Sequence, residues 1–188
     1  LLWPEGKVPN YDNIATFVNA GIRAVRKADA AIPVMIHLDN GGNNALYREW
    51  FDNFTKRGED FEIIGLSYYP FWDGTNENMQ NVAKNIMDRY GKKVVIAETS
   101  YCYTEKDGDG FGNSFDGIED AVDGYAPTVQ SQATMIRDIC AAANEVGVLG
   151  VFYWEGTWIP VGSEDQDNSA LWEKYGSGWA SSYSAEYD

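Results

Sequence analysis

Val94-Val95-Ile96-Ala97-Glu98, followed by Thr99-Ser100-Tyr101, is the stretch on which the reading of this chain turns. Four apolar residues, three of them β-branched, closed by a charged one, read as a short strand buried on both faces. Three further runs share the pattern: VMIHL (34–38), IIGL (63–66) and LGVF (149–152). They end in DNGG (39–42), SYYP (67–70) and YWEG (153–156). A helix-like stretch separates each run from the next. Strand, polar tip and helix in repetition predict an α/β fold with a parallel sheet, its chemistry at the C-terminal ends of the strands.

The helical patterns fill the gaps. Asn10 or Asp12 is placed to cap a helix whose face carries Ile14, Phe17, Val18, Gly21, Ile22 and Val25. Asn43 or Asn44 opens a second, with Leu46, Trp50, Phe51 and Phe54, ending near Gly58. A third covers roughly Asn76 to Tyr90 and stops at Gly91. Pro127 starts a fourth, with Val129, Ala133, Ile136, Ile139, Cys140 and Ala143 on one face and Gly147 at its end. Two stretches lack periodicity: 101–126, rich in Gly and Asp, and 155–188, dense in Trp, Tyr, Gly and Ser with no clear helix. Loops this long in a compact domain are mostly functional or disordered. Four strands and four helices suit an open parallel sheet or one half of an eight-stranded barrel. No glycine-rich phosphate turn follows the first strand, which removes support for a nucleotide fold.

The chain has 188 residues, 44% of them hydrophobic, enough for one domain with a substantial core. Its net charge of −15 would repel nucleic acid and is compatible with a neutral polymer such as a polysaccharide. It also fits an extracellular, cell-surface or periplasmic protein of bacterial type. No apolar run reaches the length of a membrane span, and no signal peptide is visible in a chain that begins at Leu1. The lone His37 argues against a His-based metal site or triad. Cys102 and Cys140 read as buried free thiols, with a disulfide as the alternative.

Glu98 is the first candidate to carry chemistry, with a scaffold role, bonded to neighbouring loops, as the alternative. A carboxylate delivered at the mouth of a buried strand can attack an anomeric carbon if a second carboxylic acid lies about 5–5.5 Å away. Glu155 is the other strand-tip glutamate and suits ligand positioning or loop bracing. His37 and Asp39, sharing one side of the first strand tip by alternation, are candidate contacts to hydroxyl groups. Tyr68, Tyr69, Trp72, Trp154 and Trp158 cluster near the tips, and flat aromatic faces suit the C–H patches of sugar rings. In the long loop, Asp107, Asp109 and Asn113 alternate with glycines and Phe111, a spacing that lets a short loop wrap Ca²⁺. The twelfth place of an EF-hand, where a bidentate Glu belongs, holds Ile118.

VMIHLDNGG, GLSYYPFW, VVIAETSYCYT and GVFYWEGTWIP, in this order and spacing, resemble the family-53 glycoside hydrolases, endo-β-1,4-galactanases acting on type I arabinogalactan of pectin. The resemblance runs over essentially the whole chain. It implies a (β/α)8 TIM barrel with retaining chemistry, residues 1–188 supplying about strands 5–8 as a half barrel with long loops after strands 7 and 8. It assigns the nucleophile to Glu98. It places the acid/base in an Asn-Glu pair just upstream of Leu1, with the N-terminal half of the barrel, so that residues 1–188 alone are expected to be inactive on galactan. It also implies a structural Ca²⁺ at Asp107, Asp109 and Asn113, with Phe111 standing where the family has His and offering only its carbonyl. Two other readings stay open: a non-catalytic carbohydrate-binding protein, and a barrel glycosidase of mannanase or cellulase type.

Overall fold

The alternation of strand-forming and helix-forming segments gives the expected order. In a computed structural model of the chain, residues 3–106, 108, 113–115, 117–154, 156 and 169–175 are described. The main elements are α1 (Tyr11–Ala28), β1 (Met35–Leu38), α2 (Asn44–Phe54), β2 (Ile63–Ser67), α3 (Pro70–Asp73), α4 (Asn76–Tyr90), β3 (Lys93–Thr99), α5 (Val129–Glu145), β4 (Val151–Tyr153) and α6 (Ser169–Tyr175). The strands form one sheet in the order β1-β2-β3-β4, with parallel pairing from β1 to β2 and from β2 to β3. Consecutive strands as neighbours, each reached by a helical crossover, is the connectivity that a barrel repeats.

Local chemistry sets the helix ends. Asn43, not Asn44, caps α2, its Oδ1 accepting the Leu46 N–H at 3.1 Å. The Thr75 hydroxyl does the same for Asn78 in α4 at 3.2 Å. Gly91 closes α4 in the left-handed region at φ 62°, a conformation costly for residues with a Cβ. The turn α3 was not anticipated; Pro70 presets its first residue, and Trp72 and Asp73 both donate to the Tyr69 carbonyl. The helix α6 corrects the expectation that 155–188 holds none.

Two compact units divide the chain: Leu1–Glu98 with Cys140–Phe152, and Thr99–Ile139 with Tyr153–Asp188. In the first, one face of the sheet is buried through Ile36, Ile64, Leu66, Val94 and Ile96. The helices contribute Tyr47, Phe51 and Phe54 from α2 and Met79, Val82, Ala83 and Ile86 from α4, all with essentially no exposure. Tyr47 fastens α2 to the sheet by donating to the Leu38 carbonyl at 2.5 Å, and its burial pushes the phenol pKa up. Phe51 and Phe61 stack at 5.9 Å between centroids. At the opposite end of the strands Arg26 pairs with Glu62, whose other oxygen accepts the Val34 N–H at 2.7 Å.

The second unit is organised by Tyr101. Its hydroxyl donates to the Tyr125 carbonyl at 2.5 Å and accepts the Val122 N–H at 3.0 Å. Its carbonyl takes the Tyr153 hydroxyl at 3.0 Å and the Gln132 amide at 2.8 Å.

Some packing expectations need correction. Phe17, expected on the buried face of α1, is half exposed, while Tyr11 and Ala15 join Ile14 and Ile22 inside. Spacing alone spreads an apolar stripe wider than the partner surface covers. On α5 the buried residues are Met135, Ile139 and Ala143, whereas Val129 is exposed. Both cysteines are free, but Cys140 is exposed. Cys102 is half-buried, with its thiol donating to the Thr104 carbonyl.

Asp52 accepts from Arg89 at 2.8 and 2.6 Å and from the Tyr90 hydroxyl at 2.9 Å, linking α2 to α4. The Arg89 guanidinium above all holds its pKa at about 2, against the ordinary 3.8. A depressed carboxylate adds stability above its unfolded pKa and loses it as pH falls through the folded one. The stability gap between the native protein and Arg89→Gln, from urea unfolding, should therefore be constant above pH about 4 and narrow toward about 2. A gap that stays flat across this window would contradict the linkage.

Candidate active site

The parallel ladder between β2 and β3 slips by one residue at its C-terminal end. Gly65 is level with Val95 and Leu66 with Ile96, but Ser67 is level with Glu98. Ala97 is the extra residue of a bulge. Before it, Lys93 donates to the Glu62 carbonyl on the β2 side, while Val94 and Ile96 bond to Leu149 and Gly150 on the β4 side. After it the sides exchange: the Glu98 carbonyl takes the Tyr68 N–H at 2.9 Å, and the Thr99 carbonyl takes the Trp154 N–H at 2.8 Å.

The slip decides where the carboxylate goes. A Cβ added at Gly65 would meet Met35, His37 and Ala97, so these side chains share one face of the sheet. That face is the less covered one: Met35 is 41% exposed, whereas Ile36 beside it is buried. In an uninterrupted ladder Glu98 would point opposite to Ala97, onto the buried face with Val94 and Ile96. The bulge instead returns Glu98 to the side of Ser67, and Ala97 and Glu98 are consecutive half-buried residues.

Glu98 is thus 21% exposed at the strand tip, with its Oε2 accepting from the Tyr69 hydroxyl at 3.0 Å. Its Oε1 lies 3.7 Å from Nε2 of His37, which is also 2.8 Å from the Ser67 hydroxyl. Three strand ends therefore converge on one carboxylate: β1 through His37, β2 through Ser67 and Tyr69, and β3 through Glu98. Trp72, 60% exposed, packs on Tyr69 with centroids 5.4 Å apart and on Phe71 at 4.8 Å. A tyrosine and a histidine beside a carboxylate can orient it and share its charge, and an open indole face can take a sugar ring.

The other anticipated residues are distributed differently. Tyr68, expected as a ligand contact, lies in the core: it is fully buried on the helix side, with its hydroxyl donating to the Gly74 carbonyl at 2.7 Å. Alternation after Ser67 turns it away from Tyr69's surroundings. Asp39 is exposed and accepts from Asn40 N–H at 2.7 Å, within its own turn. Trp154 is part of the second unit and 37% exposed. Glu155 and Trp158 lie outside the described residues, as do Asp107, Asp109 and Phe111; Asn113 is described, and its Oδ1 is buried without a hydrogen-bond partner among the described residues.

Asp73 and the pair Gly41-Gly42 were not singled out from sequence. The Gly41 N–H donates to the Ser67 carbonyl at 2.7 Å, and the Gly42 N–H to Asp73 Oδ1 at 3.1 Å. Burial raises the Asp73 pKa from its ordinary value against the lowering effect of two N–H bonds, and Asp39 adds to the rise. The legible signal was a Gly-Gly pair directly after a strand, which marks close backbone approach.

The sequence model of glycosyl hydrolase family 53 matches residues 1–186. The endo-β-1,4-galactanase of Bacillus subtilis is 45% identical over 183 residues, covering 95% of this chain and 42% of that protein. The arabinogalactan endo-β-1,4-galactanase A of Aspergillus niger is 31% identical over 180 residues, covering 91% and 48%. Among solved structures, the Ignisphaera aggregans GH53 catalytic domain superposes with a TM-score of 0.80 at 33% identity, covering 100% of this chain and 56% of that one. A structure of two fungal β-1,4-galactanases gives 0.69 at 29% identity, over 84% and 48%. The chain spans about half the length of the curated relatives it matches. Its four parallel strands with their helices are one half of a (β/α)8 barrel.

The glycine pair gives a stability test. A Cβ at Gly42 would stand 2.1 Å from the Asp73 carbonyl oxygen, a backbone atom that cannot step aside cheaply. Gly42→Ala should cost about 1–3 kcal/mol in urea unfolding. Gly21→Ala, on α1 with nothing within 4 Å, should gain up to about 1 kcal/mol from helix propensity. Equal effects at the two positions would contradict the packing described.

Proposed function

The chain belongs to glycosyl hydrolase family 53, and on that premise we propose that it supplies the nucleophile side of a retaining endo-β-1,4-galactanase. The observation that carries this reading is the Glu98 carboxylate, held between Tyr69 at 3.0 Å and His37 at 3.7 Å on the open side of a strand tip. In the first displacement a Glu98 oxygen forms a bond to the anomeric carbon as the bond to the leaving oxygen breaks. The electron pair goes with the leaving group, which takes a proton from a carboxylic acid. In the second, water attacks the anomeric carbon, gives up its proton to the carboxylate now formed, and frees Glu98. The Tyr69 hydroxyl stabilises the carboxylate as it departs. Trp72 offers a stacking face for a galactosyl unit, and His37 a hydroxyl contact. The proton donor would be the acid of the Asn-Glu pair that the family resemblance implies.

A leaving group that needs no proton isolates the nucleophile. With 2,4-dinitrophenyl 2-deoxy-2-fluoro-β-galactoside, residues 1–188 should release one equivalent of dinitrophenolate and carry the sugar on Glu98. Glu98→Gln should slow this by at least about 1000-fold while retaining affinity for galactan in a retardation gel. Binding of galactan with no covalent label would favour the non-catalytic carbohydrate-binding reading instead. Hydrolysis of intact galactan by residues 1–188 at an ordinary enzymatic rate would overturn the assignment of the acid to chain elsewhere.

We further propose a calcium site in the loop 107–113. The buried Asn113 Oδ1, without a hydrogen-bond partner among the described residues, supports it: an amide oxygen out of water needs a donor or a cation. Asp107, Asp109 and the Phe111 carbonyl would complete the oxygen set, and the ion would brace the long loop and take no part in catalysis. The polymeric substrate supports an exported protein, and no helix among the described residues is long and apolar enough to cross a membrane. Calorimetry should show the thermal midpoint falling with EDTA and recovering with excess calcium. An unchanged midpoint in the native protein, or a full calcium response kept by Asn113→Ala, would remove the site.

A further inference from the structure

We propose that Asp73 is a positioning residue: by clasping the turn after β1 to the turn after β2, it fixes the Tyr69 hydroxyl against the Glu98 carboxylate. The inference rests on the reading of Glu98 as nucleophile. Asp73 Oδ2 accepts the Tyr69 N–H at 2.9 Å, and Oδ1 accepts the Gly42 N–H at 3.1 Å. Asp73 N–H returns to the Tyr69 carbonyl at 2.7 Å. Both peptide groups of Tyr69 are thereby tied to one residue. On the other side, the Asn78 amide donates to the carbonyls of Gly42 at 3.0 Å and Asp73 at 2.9 Å. The clasp is closed on a backbone approach that only glycine permits, a Cβ at Gly42 falling 2.1 Å from the Asp73 carbonyl oxygen.

The chemistry requires a carboxylate. Both of its oxygens accept, so two N–H groups from different turns are satisfied together. An asparagine presents one oxygen and one NH₂, and either orientation sets a donor against a donor. Asp73→Asn thus keeps the size and removes one arm of the clasp. The arm lost leaves a partly buried N–H unpaired and lets Tyr69 or Gly42 drift. A reacting group displaced by about 1 Å can lose about 100-fold in rate. Asp73 touches neither Glu98 nor the reacting atoms, and its influence passes through Tyr69.

A double-mutant cycle tests this route. The readout is the rate of dinitrophenolate release from the fluorinated galactoside, with the label mapped to Glu98. Asp73→Asn should slow labelling by about 10- to 100-fold when Tyr69 is present and should slow Tyr69→Phe no further. Labelling of Asp73→Asn at the native rate, or an equal slowing in both backgrounds, overturns the proposal and leaves Glu98 in place. If Asp73→Asn loses its native near-ultraviolet dichroism, Asn78→Ala, which keeps the carboxylate and cuts the amide bridge, goes through the same cycle with the same outcomes. A native chain that takes no label on Glu98 overturns both this proposal and the nucleophile reading.

Discussion

The one-residue slip between β2 and β3 is the constraint on which the site depends. A parallel strand buried on both sides has two possible fates for each side chain, and alternation fixes them in strict succession. Ala97 interrupts the succession once, so that Glu98 stands level with Ser67. Without the slip, the carboxylate would turn toward Ile96 and the helices, into a face buried mainly by apolar side chains. An ionised group there would be strongly disfavoured. With it, the same residue faces Tyr69 and His37 and stays partly exposed. Bulges recur next to active sites for this reason: they re-aim a side chain without changing the sheet around it.

Around that slip the chain divides its labour. The buried face, packed by α2 and α4, supplies rigidity, and Tyr47 links it directly to the strands. The strand tips carry polar groups held by short, mostly backbone-directed bonds. Gly41-Gly42 and Asp73 bring two adjacent turns into contact so that β1 and β2 present His37 and Tyr69 at one height. This is the arrangement expected of a barrel, in which strands supply position and loops supply chemistry.

Much of this was legible in the chain. The four apolar runs named the four strands, and Asn43 and Gly91 sat where helix ends need them; the Thr75 cap emerged only from the structure. Glu98 stood out because a charged residue closing a buried strand demands a reason. What alternation could not reveal was its own interruption: nothing in Val94–Thr99 marks Ala97 as the extra residue, since an alanine fits a bulge and a ladder equally. Tyr68 and Tyr69 were indistinguishable as neighbouring aromatics, and only the pleat separates a core residue from a partner of the carboxylate. Asp73 was hidden because its role is to accept from backbone groups brought near by folding, which no local pattern records. The short helix α6 was missed because a seven-residue segment gives barely two turns of periodicity.

The most direct measurement is the hydrogen bond that defines the slip. In a regular ladder continued from Lys93 N–H to Glu62 carbonyl, the Tyr68 N–H would meet the Ala97 carbonyl; here it meets that of Glu98 at 2.9 Å. A scalar coupling transmitted through the hydrogen bond, between the ¹⁵N of Tyr68 and a ¹³C carbonyl, identifies the acceptor by its chemical shift. A coupling to the Glu98 carbonyl is expected. A coupling to Ala97 would contradict the slip, for it would place Glu98 on the helix-covered face, away from Tyr69 and His37.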